Sequence, residues 1–214
     1  VPVDQGGRTF FTENYRYDEL GNKIHEDKTF YVDAGSQNFK FDYKYDSWGR
    51  MREMTFPDQE VVTYDYEPTG ELKKIHSYHA AASISNEVII DQIYYDGLGN
   101  MQRIEYGNGT SSELDYYDRT RRLKTSDLFV GVSTPPFGES VHVLEKEYNY
   151  DELGNVKQVK NVAQPYSDTR GGLAMLRGGP YQFDYVYDGV NRLQGVEETS
   201  HFRGNNYTLS MTYD

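Results

Sequence analysis

The sequence predicts an all-β protein made of antiparallel β-hairpins stacked as repeats. Three observations predict it. Tyr-Asp punctuation followed by Gly-Asn or Gly-Arg recurs along 214 residues. Seven- to eight-residue stretches such as EVVTYDY (60–66) and ELKKIHSY (71–78) alternate with turn signals and show no helical periodicity. The composition is polar but rich in β-formers: 36% hydrophobic residues, 21 Tyr and a mean hydropathy of −0.82. Tyr joins an apolar body to a hydrogen-bonding tip, which suits a thin sheet wetted on both faces.

The repeat sets the element order. Tyr-Asp (once Tyr-Glu) falls at 17–18, 45–46, 66–67, 95–96, 117–118, 150–151, 187–188 and 213–214. The spacings are 28, 21, 29, 22, 33, 37 and 26 residues, so the unit is about 21–22 residues and the longer intervals carry insertions. The chain reads as a single repeat segment over 1–214, with about seven repeats and the start of an eighth. On this reading it is a piece of a longer polypeptide. Insertions lie near 76–92, which could extend two strands, near 127–143, which reads as a Pro-Pro loop, and near 161–181, a Gly- and Pro-rich irregular stretch.

Each copy reads Asp-x-x-Gly-Asn/Arg-φ-x-x-φ, φ being apolar, as in DSWGRMREM (46–54), DGLGNMQRI (96–104) and DELGNVKQV (151–159). Asp opens the turn and accepts from backbone N–H groups just ahead. Gly three residues on takes the positive φ of a type I turn with a bulge. The turn residues are Tyr17, Asp18 and Gly21; Tyr45, Asp46 and Gly49; Tyr66 and Gly70; Tyr95, Asp96 and Gly99; Tyr117 and Asp118; Tyr150, Asp151 and Gly154; Tyr187, Asp188 and Asn191. Asn191 is the next-best residue for that conformation. Arg121, at the fifth glycine position, implies strain or a different turn, and Lys23 stands at an apolar position of the first copy. TFPDQE (55–60) and EYGNGT (105–110) supply the alternate turns.

Tyr pairs two apart (Tyr15/Tyr17, Tyr43/Tyr45, Tyr64/Tyr66, Tyr148/Tyr150, Tyr185/Tyr187) share a face, and their rings are expected to stack across neighbouring repeats. The φ-x-x-φ step resists this pattern. Leu72/Ile75 and Val156/Val159 would fall on opposite faces of a regular strand. Either a bulge or a first residue embedded in the turn reconciles them.

A net charge of −12 argues against nucleic acid and anionic lipid as partners. No apolar run approaches a membrane span, so no membrane insertion is expected of this segment. Zero Cys excludes disulfides and cysteine metal clusters. The five His (25, 76, 79, 142, 201) form no zinc motif, and His76 and His79 are expected on opposite strand faces. The repeated Asp lack EF-hand spacing. Acid pairs such as Glu145/Glu147 and Glu197/Glu198 are what 34 acids give by chance, and no GxSxG or P-loop occurs. No catalytic, metal or cofactor-binding residue is assigned, and the chain is not read as an enzyme.

YRYDELGN, YKYDSWGRM, YYDGLGNM, YNYDELGNV and YVYDGVNRL resemble the RHS/YD-repeat family. The resemblance covers nearly the whole chain except the insertions. It implies a curved β-ribbon that is part of a hollow spiral shell, as in bacterial toxin complexes, polymorphic toxins, wall-associated proteins and the teneurin adhesion receptors. It implies a structural role: a secreted or surface-located bacterial shell segment that encloses and helps deliver a toxin or other cargo polypeptide. The partners would be the rest of its own longer chain and that cargo. The alternative is an adhesion or carbohydrate-binding scaffold whose partner would be glycans. The family's Pro- and Gly-rich self-cleavage motif has no counterpart here, so no residue is assigned to autoproteolysis.

Overall fold

The computed structural model describes residues 10–32, 35–79, 84–130, 141–168, 175–177, 179–200 and 207–213. Every regular element among them is a β-strand. Two compact units divide the chain, Val1–Gln92 and Ile93–Asp214.

The first unit contains β1 (Phe11–Tyr17), β2 (Lys23–Val32), β3 (Gly35–Tyr45), β4 (Met51–Thr55), β5 (Glu60–Tyr66), β6 (Leu72–His79) and most of β7 (Ile84–Tyr95). Each strand pairs antiparallel with the next in sequence, so the unit is a meander. The second unit contains β8 (Met101–Tyr106), β9 (Thr110–Tyr116), β10 (Leu123–Val130), β11 (Val141–Tyr150), β12 (Val156–Asn161), β15 (Tyr181–Tyr187), β16 (Leu193–Ser200) and β17 (Tyr207–Ser210), again in chain order. Between β12 and β15, β13 (Tyr166–Asp168) and β14 (Met175–Arg177) form a separate two-stranded hairpin.

The sheets bury little. Tyr43, Val62, Ile93 and Ala163 are the buried apolar residues among those described. A single layer cannot enclose a thick core, which is why a chain with 36% hydrophobic residues adopts it. Cohesion comes from ladder hydrogen bonds and from polar contacts between repeats.

The insertions are more ordered than their composition suggests. The 127–143 stretch, expected as a loop, is strand at both ends, because β10 continues to Val130 and β11 begins at Val141. Its residues 131–140 lie outside the described residues. The 161–181 stretch, expected to be irregular, carries the β13–β14 hairpin. Asn161 fixes its base: Oδ1 accepts from the Glu145 N–H (2.9 Å) and Nδ2 donates to the Gly179 carbonyl (2.8 Å), with the residue only 1% exposed. In 76–92, β6 and β7 extend to His79 and from Ile84.

Candidate functional site: the repeated turn

The φ-x-x-φ step is resolved by a bulge. In the third copy Asp65 pairs with Lys74 and Tyr66 with Leu72, so Lys73 is the extra residue. Leu72 thus faces Tyr66 and Ile75 faces Tyr64, on one side of the sheet. The same shift sets Met51 and Met54 against Tyr45 and Tyr43, Val156 and Val159 against Tyr150 and Tyr148, and Leu193 and Val196 against Tyr187 and Tyr185.

The Asp side chain is consumed by its own turn. Asp18 Oδ1 accepts from the N–H groups of Leu20 (2.9 Å) and Asn22 (2.8 Å), while Oδ2 accepts from Asn22 Nδ2 (2.9 Å). Asp96 repeats this with Leu98 and Asn100, and Asp151 bonds the N–H and Nδ2 of Asn155. Asp46 and Asp188 take Arg50 and Arg192 instead, through backbone N–H and Nε. The Asn/Arg alternation after glycine therefore has a chemical reason that spacing alone did not supply. Both residues present a planar N–H donor at the reach of the second carboxylate oxygen. Side-chain donation from Asn22 leads the hydrogen bonds that hold the Asp18 carboxyl below its usual range, as Asn155 does for Asp151. For Asp188 the leading bond comes from the Arg192 backbone N–H.

Gly21, Gly49, Gly99 and Gly154 take φ of +76° to +96°, Gly70 +114°, and Asn191 takes +64°. At Gly154 the need is double, since a Cβ there would also collide with the Arg122 guanidinium. Glu67 supplies the backbone of the turn, but its longer carboxylate goes to Lys73 (3.2 Å).

The fifth copy shifts frame. Tyr117, not Asp118, closes the turn: its N–H donates to the Arg122 carbonyl (2.9 Å) and its carbonyl accepts from the Arg121 N–H (2.8 Å). Arg121 takes φ +56°, and the turn is one residue longer, with Tyr116 opposite Leu123. The positive-φ arginine reaches back to Asp96 in an ion pair. Both expectations for Arg121 therefore hold together: a different turn and a left-handed backbone.

Tyrosine hydroxyls connect the repeats. Tyr45 donates to the carbonyl of Lys23 (3.0 Å), Tyr66 to Met51 (2.7 Å), Tyr116 to Met101 (2.8 Å), Tyr150 to Leu123 (2.9 Å), Tyr187 to Val156 (3.0 Å) and Tyr213 to Leu193 (2.7 Å). Every acceptor is the first φ position of the preceding copy, where the bulge disrupts the ladder. In the fifth copy Tyr116 makes this bond, while the Tyr117 hydroxyl goes forward to the Tyr148 carbonyl (3.0 Å).

The expected ring-on-ring stacking of tyrosines is not the main contact. Equivalent rings lie two strands apart, roughly 9–10 Å, too far to touch. Cations fill the interval: Arg50 lies 4.3 Å from the Tyr66 ring centre, Arg192 4.5 Å from Tyr213, Arg122 5.4 Å from Tyr150 and Lys23 4.7 Å from Tyr43. Tyr117 and Tyr150 do meet (6.1 Å, 80°), and this pair involves the frame-shifted copy.

The first copy replaces its apolar φ pair with charge. Lys23 and Glu26 face Tyr17 and Tyr15, and Lys23 Nζ lies 2.5 Å from Glu26. Glu26 is 6% exposed and also contacts Lys28 (2.7 Å) and the Tyr43 hydroxyl (2.9 Å). Hydrogen bonds from Lys23, then Lys28 and Tyr43, outweigh burial and hold its carboxyl down at about 2.

Among the described residues no three His, Asp or Glu side chains are grouped to hold a metal. His76 and His79 each meet an acid, Asp65 (3.2 Å) and Asp58 (3.8 Å); His201 lies outside the described residues. Glu145 lies in a cross-strand row with Glu113 and Asp127, and Glu197 and Glu198 are adjacent on β16.

No family model matches the sequence. It is 26% identical over 212 residues to Teneurin-4 of Homo sapiens and of Mus musculus, across 87% of this chain. The fold matches that of TcdB2–TccC3 without its hypervariable C-terminal region, with TM-score 0.63 and 17% identity over 92% of this chain. The chain resembles RHS/YD-repeat proteins in its repeated motif and in its fold. A third likeness, TM-score 0.61 at 16% identity over 89% of this chain, is to the Photorhabdus luminescens Tc holotoxin pore. The chain spans 7% of the length of the Teneurin-4 relatives and 11–12% of the solved chains.

Proposed function

We propose that this YD-repeat chain is a wall segment of a longer secreted or surface-located bacterial protein, and that the wall encloses a polypeptide cargo and helps deliver it. The observation carrying this reading is the tyrosine-to-carbonyl bond repeated from copy to copy. Among the described residues, Asp18, Asp46, Asp96, Asp151 and Asp188 bond within their own turns, and six tyrosine hydroxyls bond the preceding copy. Beside the second turn an open cleft is walled by Lys44, Asp46, Arg52 and Glu53, but Asp46 is bound to Arg50 and Glu53 to Lys44 (2.6 Å). The likeness in fold to TcdB2–TccC3 over 92% of the chain supports a shell of that type.

The test is protease protection in the full-length protein that carries this segment. A second polypeptide, or a region of the same chain, should resist protease while the wall is intact. It should become cleavable when Tyr66, Tyr150 and Tyr187 are together changed to Phe. Absence of any protected polypeptide in the unaltered protein would overturn the reading.

A second reading, an adhesion scaffold, is favoured by the Teneurin-4 likeness. It requires saturable binding of the segment to a cell surface or glycan array, independent of any enclosed polypeptide.

A further inference from the structure

Asparagine and aspartate share a slow reaction with the residue that follows them. The next backbone nitrogen attacks the side-chain Cγ, a leaving group departs and a five-membered succinimide forms. Glycine in that next place eases the approach, because it has no Cβ in the way. The chain holds three Asn-Gly or Asp-Gly dipeptides, Asp96-Gly97, Asn108-Gly109 and Asp188-Gly189, and all three stand in hairpin turns. The turns treat them differently.

The two aspartates are poor electrophiles where they sit. Asp96 Oδ1 accepts from the N–H groups of Leu98 (2.8 Å) and Asn100 (2.9 Å), Oδ2 accepts from Asn100 Nδ2 (2.8 Å), and Arg121 pairs with the same carboxylate. Asp188 Oδ1 accepts from the N–H groups of Val190 (3.0 Å) and Arg192 (2.9 Å), and Oδ2 from Arg192 Nε (2.7 Å). These donors, led by Asn100 Nδ2 at Asp96 and by the Arg192 N–H at Asp188, hold both groups in the ionised form. A carboxylate repels the nucleophile that a neutral amide admits.

Asn108 is a neutral carboxamide at the exposed tip of the β8–β9 turn. Its Oδ1 accepts from the Thr110 N–H (3.0 Å) and from Thr110 Oγ1 (2.8 Å). That oxygen takes up negative charge as a nitrogen adds to Cγ, so two donors already stand where the charge develops. Nδ2, the leaving group, bonds no described residue. One contact opposes the reaction. The Gly109 N–H donates to the Tyr106 carbonyl (3.0 Å) and must leave it before attack. That bond lies outside the last β8–β9 register pair, Glu105 and Ser111, at the end of the ladder where local opening costs least.

We propose that Asn108 is a self-modifying site of the folded chain, deamidating through Gly109, while the Tyr-Asp turns shield Asp96 and Asp188 from the equivalent isomerisation. The Gly109 nitrogen gives up its proton and bonds Cγ. The Cγ–Nδ2 bond breaks, and Nδ2 takes up a proton and leaves as ammonia. Water then opens the ring. Opening at Cγ gives aspartate; opening at the main-chain carbonyl gives isoaspartate, whose main chain runs through Cβ and Cγ. The isoaspartate product lengthens the turn by one main-chain atom and spoils its match to the β8–β9 register. Both products add one negative charge to a net charge of −12. The change needs no enzyme and does not reverse, so its extent records the time since folding. The inference does not depend on what the wall encloses.

The folded chain is incubated at pH 7 and pH 8, digested in acid and mapped by mass spectrometry, with isoaspartate labelled by an isoaspartyl methyltransferase. The Asn108 peptide should convert at least about tenfold faster than the Asp96 and Asp188 peptides and than any other asparagine peptide. It should convert faster at pH 8, because a proton is lost before attack. Thr110→Val keeps the side-chain shape and the N–H donor but removes Oγ1. It should slow conversion roughly three- to tenfold, the net worth of one hydrogen bond read as a rate. In urea that difference should vanish, since the turn that aims Thr110 is gone. Circular dichroism checks that the variant folds; if it does not, the comparison of sites within the unaltered chain decides alone. Asp-Gly peptides that convert as fast as the Asn108 peptide overturn the proposal. So does a folded chain that keeps Asn108 intact while the urea-unfolded chain converts, which would make the Gly109–Tyr106 bond a lock. An unchanged rate in folded Thr110→Val overturns it as well.

Discussion

The hydroxyl of Tyr66 donates to the carbonyl of Met51 across 2.7 Å, joining the end of one copy to the bulge of the copy before it. The bond recurs at six described places, so its strength sets how firmly successive repeats hold together. Removing it with Tyr66→Phe leaves the ring and its Arg50 contact in place. The expected loss is about 1 kcal/mol, the usual net worth of one such bond. Denaturant unfolding should show a lower midpoint at unchanged m-value. A loss indistinguishable from zero would mean that water replaces the hydroxyl at no cost.

Gly154 meets two demands, a φ of +96° and the Arg122 guanidinium beside it. Gly154→Ala should cost about 1–2 kcal/mol from the backbone alone, plus whatever Arg122 loses in leaving the Tyr150 ring. Adding Arg122→Ala should make the alanine less costly, a coupling that a double-mutant cycle in thermal or urea unfolding measures. Asn191→Gly, at φ +64°, should be neutral or slightly stabilising.

Glu26 titrates in the folded chain at about 2, against an ordinary 4.5. Its folded value is depressed, so its contribution is complete above about 4.5 and is lost as pH falls through about 2. Glu26→Gln should therefore destabilise the protein at pH 7 and make progressively less difference below pH 4.5. Urea unfolding at pH 7, 4.5, 3 and 2 tests this. Pairing Lys23→Leu with Glu26→Val, which restores the apolar pair of the other copies, should be less harmful than either change alone.

Asp127 shows the opposite sign. Its Oδ1 is buried without a hydrogen-bond partner, and Glu113 and Glu145 lie opposite it on β9 and β11. Burial, then the charge of Glu145, pushes its carboxyl above 3.8. A raised folded value makes the protonated form the favoured one, so relative stability is full below 3.8 and falls as pH rises through the folded value. Asp127→Asn should stabilise the protein at pH 7 and change nothing at pH 3. Equal effects at both values would assign the gain to packing.

Much of this was legible in the sequence because the motif is local. Asp-x-x-Gly specifies a turn from four adjacent residues, and Asn191 at a glycine position already indicates positive φ. The φ-x-x-φ spacing announced an irregularity without deciding between a bulge and a turn-embedded residue, because register depends on the partner strand. Arg121 announced a departure in the fifth copy without giving its register, for the same reason. DRTRRL aligns with the motif, yet one extra turn residue gives the role of Tyr117 to Tyr116. The cross-repeat hydroxyl bonds could not be read at all, since each joins residues 15 to 31 apart in sequence whose separation varies with the insertions. The β13–β14 hairpin was hidden because its anchor, Asn161, is a lone polar residue whose burial only the fold reveals.

The six tyrosine bonds also have a direction: in each, the later copy donates to the earlier one. A chain emerging from the ribosome N-terminus first, at about 5–20 residues per second, therefore presents each new hairpin to an acceptor that already exists. Growth needs no completed ring and no distant partner. Repeats can be added one after another, at the pace of translation.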